Sequence, residues 1–264
     1  MPGARNQPKR ALIGWSGFVG TTLRGQFSGF DDQFRAADID AIAGGDYDLV
    51  VCAGAPGAKW RANREPEADR ASIERLIAAL RGVHCDRFVL ISTVDVLSLP
   101  NGVDEASPVH ERGLPPYGKH RYALEQFVRQ QFPESLIVRL PGLVGPGLRK
   151  NVLFDLLNGG SGAGLDGNLQ VQYYPMANLW ADIVRAQAAG LSLIHLVAEP
   201  LRLRQVAAGV FGTPCSGPPV AAPGYDVRTR FSGNGSPWTV SAEVSLAAIR
   251  AYASQEPKAV RGNA

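Results

Sequence analysis

Short apolar runs alternate with helix-length periodic segments over the first 140 residues of this chain. Ala11-Leu12-Ile13 runs into glycine, and residues 17–27 can form a helix. Asp48-Leu49-Val50-Val51-Cys52 is a second strand candidate. Residues 67–80 carry Ile73, Leu76, Ile77 and Leu80 at helical spacing. Residues 87–92 and 135–139 are further apolar runs, separated by a helical segment over 117–131 with Tyr122, Leu124, Phe127 and Val128 apolar. Strand and helix alternating at this spacing predict βαβ units around a parallel sheet with helices on both faces, an α/β doubly wound architecture of Rossmann type. Right-handed crossovers then bring the strand C-termini to one edge, where ligands bind.

After Arg139 the pattern weakens. Residues 141–147 hold two prolines and three glycines, residues 158–167 are glycine-rich, and the elements that follow (182–189, 192–197 and a last helix over 241–253) are less regular. We expect a dinucleotide-binding domain over 1–145 and a small substrate lobe over 146–264, partly interleaved with the main sheet. At 264 residues the chain is long enough for a full core and a cleft. Its 45% hydrophobic and 19% charged residues are ordinary globular usage. A net charge of +3 without a run of like charges argues against a nucleic-acid partner. Cys52, Cys85 and Cys215 fit neither a disulfide framework nor a zinc spacing, so no metal is expected and a reducing cytoplasm is the natural compartment. Arg5, Lys9 and Arg10 ahead of the apolar stretch 11–23 mimic a secretory signal. That stretch contains three glycines and no cleavage site follows it, and no apolar run is long enough to span a bilayer.

The glycine turn carries the first chemical signal. Gly14, Gly17 and Gly20, spaced by three and enclosing Trp15, Ser16, Phe18 and Val19, follow a strand and open a helix. Such a turn lets a pyrophosphate approach the backbone while the helix N-terminus supplies free N–H groups and partial positive charge. Beyond it stand Arg35, which suits a 2′-phosphate, and Asp38-Ile39, which suit ribose or adenine. NAD and NADP both remain open, with Arg35 tipping the reading toward NADP.

The second signal is Tyr117 with Arg121 one helical turn on. A cation beside a phenol lowers its pKa, and a phenol so tuned can exchange a proton at a carbinol carbon. Ser92-Thr93 end a strand at the same sheet edge, where a hydroxyl can orient a substrate oxygen. Lys59, Trp60 and Asn63 follow the loop after Cys52. They are either substrate contacts or solvated loop residues with one packed tryptophan. Lys150 and Asn151 either grip a diphosphate or sugar, or open a helix. His84, His110 and His195 have no partners at metal spacing.

Taken together these motifs resemble the extended short-chain dehydrogenases/reductases of the NAD-dependent epimerase/dehydratase family, over about residues 11–200. The resemblance rests on the three glycines, on Asp38-Ile39 and on the small-residue strand end Cys52-Ala53-Gly54-Ala55. It rests also on Ser92-Thr93, on Tyr117 to Arg121 with Glu125, on the Arg139 to Pro146 segment and on Asn178 to Ile183. It implies Tyr117 as the acid/base, Thr93 as its hydroxyl partner, and Arg121 at the position of the lysine that holds the nicotinamide ribose. It implies Ala53, Gly54, Ala55, Ser92 and Pro141 beside the cofactor, and Asp95 in the place of a dehydratase glutamate, facing substrate. Arginine at 121 keeps the charge and the donors but hardly ever gives up its proton. The expected activity is hydride transfer between NAD(P) and a carbinol or ketone carbon of a nucleotide sugar or related polyol, in a protein that can form a homodimer. The alternatives are a non-catalytic NAD(P) sensor or scaffold on the same fold, and a flavin or mononucleotide binder.

Overall fold

The computed structural model describes residues 9–220, 224–233 and 235–258; Arg5 of the signal-like segment lies outside them. The chain divides into two compact units. The first comprises residues 1–98, 108–139 and 179–194, and the second residues 99–107, 140–178 and 195–264. Residues 99–107 group with the later chain and residues 179–194 with the earlier.

The first unit contains strands β1 (Arg10–Ile13), β2 (Asp32–Phe34), β3 (Asp46–Cys52), β4 (His84–Thr93) and β5 (Ser135–Leu140). Strand β6 (Leu193–His195) straddles its end. Its helices are α1 (Phe18–Gln26), α2 (Lys59–Arg64), α3 (Pro66–Leu80), α4 (Pro116–Gln131) and α5 (Leu179–Ala188). The strands form one sheet in the order β6-β5-β4-β3-β1-β2. The β1–β2, β1–β3 and β3–β4 pairs are parallel, with Ile13 opposite both Phe34 and Cys52. This is the Rossmann-type α/β sheet. Because β1 lies between β2 and β3, the strand order reverses at β1/β3, the crevice in which open α/β sheets bind ligands.

Burial explains the strands. Leu49 to Cys52, Phe88 to Ile91 and Ser135 to Leu140 are buried continuously, as expected of a sheet covered on both faces. Helices α3 and α4 set Ile73, Leu76, Leu80, Leu124 and Val128 against Val50, Phe88 and Ile137. Helix α5, from the late sequence, belongs to this unit through Trp180, whose ring stacks on Phe27 at 4.5 Å and whose backbone N–H donates to Gln26 Oε1 at 2.9 Å.

Among its described residues the second unit holds three two-stranded ladders: Gln170–Val171 with Leu201–Arg202, Asp226–Val227 with Asn101–Val103, and Gly142–Val144 with Tyr173–Pro175. The unit also holds helices Val152–Leu157, Leu203–Phe211 and Ala242–Gln255, and Tyr174 and Leu153 are fully buried in it. No helix among the described residues is long and apolar enough to cross a membrane.

A buried polar network crosses the first unit. Glu125, fully buried on α4, accepts from Arg139 Nε at 3.0 Å and Nη2 at 2.7 Å, and from the Ser92 hydroxyl at 2.5 Å. A paired and fully bonded charge is tolerated in a core; an orphaned one is not. Glu125→Gln, which leaves Arg139 uncompensated, should destabilise the protein by about 3–5 kcal/mol in urea unfolding. The double variant Glu125→Met/Arg139→Met should recover most of that loss.

Candidate active site

The glycine turn lies directly after β1. Gly14 has φ +81°, and a Cβ there would stand 2.3 Å from the Ala53 carbonyl oxygen after β3. A Cβ on Gly20 would stand 2.0 Å from the Gly14 carbonyl oxygen. Both glycines are therefore required by the protein's own backbone packing. Gly17 is different. Its φ is −78°, and the nearest atom to an added Cβ is Gly14 O at 3.4 Å, so packing alone would accept alanine there. Gly17 is the N-cap of α1, with no side-chain cap and no acidic residue in the first turn. Ser16 and Gly17 are exposed, and Phe18 and Val19 half-buried. The helix thus presents uncapped N–H groups at an open, uncharged turn.

Beside the turn is a cleft lined by Ile13, Ala36, Ile39, Gly54, Pro56 and Leu76, with Ser72 and Arg75. Most of its walls are apolar, which suits a flat heterocycle. Arg35 Nε meets Asp38 at 3.3 Å, and Asp38 also accepts the Arg35 N–H at 2.6 Å. The pair is well exposed. Arg75 donates to the Ala36 carbonyl at 2.9 Å and pairs with Asp40 at 2.6 Å. Sequence reasoning did not single out Arg75.

Tyr117 is buried at the start of α4. Its backbone N–H donates to Asn63 Oδ1 at 3.0 Å, so α2 holds the helix start in place. Gly118 allows α4 to touch the strand end, since a Cβ there would stand 2.2 Å from Asp95 O. The Thr93 hydroxyl acts on the Tyr117 phenol in the direction that favours its ionised form. Thr93 Oγ1 also accepts the Asp95 N–H at 3.1 Å and lies 3.4 Å from Asp95 Oδ2, and Asp95 Oδ1 pairs with Lys59 Nζ at 2.7 Å. The structure thus brings Lys59, Thr93, Asp95, Tyr117 and Arg121 into one cluster. Trp60, beside Lys59, is 62% exposed and has the Arg64 guanidinium over its ring.

Four expectations need correction. The Tyr117 phenol is not shifted toward ionisation. Burial pushes its pKa up from the ordinary value of 10.0 and outweighs the downward pull of Arg121. Arg121 is not open to a ribose. It is 2% exposed, and both terminal nitrogens bond to Asp69, one through Nη2–Oδ1 at 2.8 Å. Nη2 also donates to the Pro56 carbonyl, the guanidinium lies over the Tyr117 ring at 4.1 Å, and Nε is buried without a partner. The Ser92 hydroxyl faces Glu125 in the core rather than a cofactor. Asn151, in the second unit, spends its side chain capping the helix that follows. It accepts the N–H groups of Leu153 and Phe154 and donates to the Leu143 carbonyl at 3.0 Å. Its φ of +106° places that cap.

The residue that sequence reasoning missed is Asp69. It also receives His120 Nδ1 at 2.7 Å, and these partners together hold its carboxyl below the ordinary value despite the upward push of burial. Its signal was available. Asp69 falls four residues before Ile73 on the buried stripe of α3, and a carboxylate on an apolar stripe requires a buried partner. Among the described residues no group of three His, Cys, Asp or Glu could hold a metal ion.

No protein-family model matches the chain, and no curated protein matches it. Solved structures with the same fold include UDP-glucose 4-epimerase from Thermotoga maritima with UDP-glucose, at 16% identity and TM-score 0.69, covering 92% of this chain and 98% of that one. dTDP-4-dehydrorhamnose reductase from Bacillus anthracis str. Ames in complex with NADP is 17% identical, with TM-score 0.70 and coverage of 93% and 98%. A NAD-dependent NDP-hexosamine 5,6-dehydratase of tunicamycin biosynthesis is 17% identical, with TM-score 0.70 and coverage of 93% and 97%.

Gly20→Ala should cost more than about 3 kcal/mol or abolish folding, because backbone meets backbone. Gly17→Ala should change stability by less than about 1 kcal/mol; urea unfolding of the two variants compares them. Because the folded carboxyl of Asp69 is held low, its contribution is present above about pH 4 and is lost as pH falls through the lowered value. Asp69→Asn should therefore flatten the acid limb of the stability curve, read by thermal melts between pH 3 and 7.

Proposed function

We propose that the protein is an NAD(P)-dependent oxidoreductase or epimerase of the extended short-chain dehydrogenase/reductase type, acting by hydride transfer at a carbinol or ketone carbon. The observation that carries this reading is Gly17, a glycine that no protein contact demands, at an uncapped helix N-terminus between two glycines that packing does demand. A pyrophosphate approaching the backbone accounts for it, through the N–H groups of Phe18, Val19 and Gly20. The cleft of Ile13, Ile39, Pro56 and Leu76 suits adenine. Arg35, with Arg75 nearby, supports NADP over NAD, and Asp38 supports a ribose contact. Ala53, Gly54 and Ala55 border the same crevice. Bound NAD(P) would supply or accept the hydride. Tyr117, neutral in its buried site, donates or receives the proton at the substrate oxygen, and Thr93 orients that oxygen. Arg121 acts from behind as a fixed charge on the ring. Since neighbours of this fold carry names of nucleotide-sugar enzymes, a nucleotide sugar or related polyol is the substrate class we favour.

A second reading, a non-catalytic dinucleotide sensor, is favoured by one specific observation: the cation expected to hold the ribose is committed to Asp69.

Gly17→Ala should lower affinity for NADP+ and NAD+ by at least tenfold in calorimetry. An affinity unchanged by the added methyl would remove the basis of the cofactor assignment. Tyr117→Phe should keep folding and cofactor affinity yet lose about 10²–10⁴-fold in turnover on a panel of nucleotide ketosugars, followed at the absorbance of reduced nicotinamide. Cofactor binding with no turnover by the wild-type protein on that panel would favour the sensor.

A further inference from the structure

Two arginines reach the loop after β2, and only one of them lines the cleft beside the glycine turn. The cleft has apolar walls from Ile13, Ile39, Pro56 and Leu76, and among the described residues that line it Arg75 alone carries a charge. Arg75 comes from α3. There Ser72, Arg75 and Leu76, spaced by three and four residues, share the helix face turned to the cleft. The Arg75 guanidinium crosses to the loop after β2, where Nη1 donates to the Ala36 carbonyl at 2.9 Å and Nη2 pairs with Asp40 at 2.6 Å. Each of these nitrogens has a second N–H, and Nε has its own. The anchoring loop is itself tied to the glycine turn: Phe34, the last residue of β2, accepts the Gly14 N–H on its carbonyl at 2.7 Å, and Ala36 follows two residues later. In sheets of this type a dinucleotide lays its pyrophosphate on the turn and its adenosine ribose near the end of the second strand. Arg75 is fastened at that strand end.

Arg35 is placed otherwise. It is not part of the cleft wall. Its Nε turns to Asp38 at 3.3 Å, and the two residues close a tight turn on each other, with the Arg35 N–H donating to Asp38 Oδ1 at 2.6 Å and the Asp38 N–H donating to the Arg35 carbonyl at 3.1 Å.

We infer that Arg75, and not Arg35, selects between NADP and NAD, taking the 2′-phosphate on its remaining N–H groups while Asp40 on the same guanidinium opposes that phosphate. The inference rests on the reading of the cleft as an NAD(P) site and assigns the selection within it. A 2′-phosphate and the Asp40 carboxylate compete for one cation. Charge-assisted bonds from Arg75 favour the phosphorylated ribose, the carboxylate repels it, and an uncharged 2′-hydroxyl feels little of either. The two side chains therefore pull the preference in opposite directions.

Calorimetric titration of the full chain with NADP+ and with NAD+ gives the affinity ratio that tests this. Arg75→Gln should lower NADP+ affinity about tenfold or more and leave NAD+ affinity within about threefold. Asp40→Asn should raise the NADP+ to NAD+ ratio severalfold, and Arg35→Gln should move it by less than about threefold. A ratio unchanged in Arg75→Gln, an equal loss of both dinucleotides in that variant, or a tenfold fall of the ratio in Arg35→Gln would each overturn the inference. Circular dichroism reports folding; should Arg75→Gln not fold, a ratio that Asp40→Asn leaves fixed or lowers overturns it equally. Wild-type protein that binds neither dinucleotide would remove the cofactor reading and this inference together, whereas binding of both with a ratio indifferent to Arg75 removes the inference alone.

Discussion

The geometry around Tyr117 depends on one buried ion pair, Asp69 with Arg121. A single guanidinium ties α3 to α4 through two bonds to the carboxylate and ties both to the loop after β3 through the Pro56 carbonyl. The phenol ring lies against its face at 4.1 Å. Desolvating both charges is expensive, and such pairs persist where the geometry is bidentate and the remaining polar atoms are met. Here one nitrogen, Nε, is left without a partner. The arrangement holds the aromatic ring in place and removes the cation's donors from the cleft.

That trade separates two properties often carried by one residue. A lysine one turn after a tyrosine offers a charge and free donors together. The arginine here keeps the charge near the ring and gives its donors to Asp69 and Pro56. On the proposed reading, donor and proton-exchange functions at the cleft then fall to other groups of the cluster. Lys59, Asp95 and Thr93 are the groups so placed, on α2 and at the end of β4.

The strands and long helices of the first unit were legible in the sequence because burial there is nearly periodic. Apolar runs became β1, β3, β4 and β5, and the stripe of Ile73, Leu76 and Leu80 became α3. Two elements were not legible. Strand β2 is three residues, Asp32–Phe34, at the sheet edge, and shows no apolar alternation. Helix α2, Lys59–Arg64, buries only Ala62 and is reinforced at its surface by the Arg61–Glu65 pair. The site divides along a similar line. Which residues gather at the sheet edge follows from strand ends and helix starts, and these are local. Which donor is consumed by which acceptor is not local. Ser92 meets Glu125 across 33 residues, and Arg121 meets Asp69 across 52. A hydroxyl or guanidinium that looks available in sequence can therefore be spent inside the core.

The dinucleotide reading does not lean on the fold alone, since identities of 16–17% establish architecture and little more. It leans on an asymmetry within three glycines, two explained by packing and one not. The catalytic reading has a similarly local root. A buried phenol whose pKa is raised holds its proton at neutral pH, so Tyr117 can donate before it can accept. On the proposed reading such a phenol is prepared to protonate a carbonyl oxygen, and the opposite direction first requires the phenolate to be stabilised. Arg121 contributes a fixed part of that stabilisation through the ring.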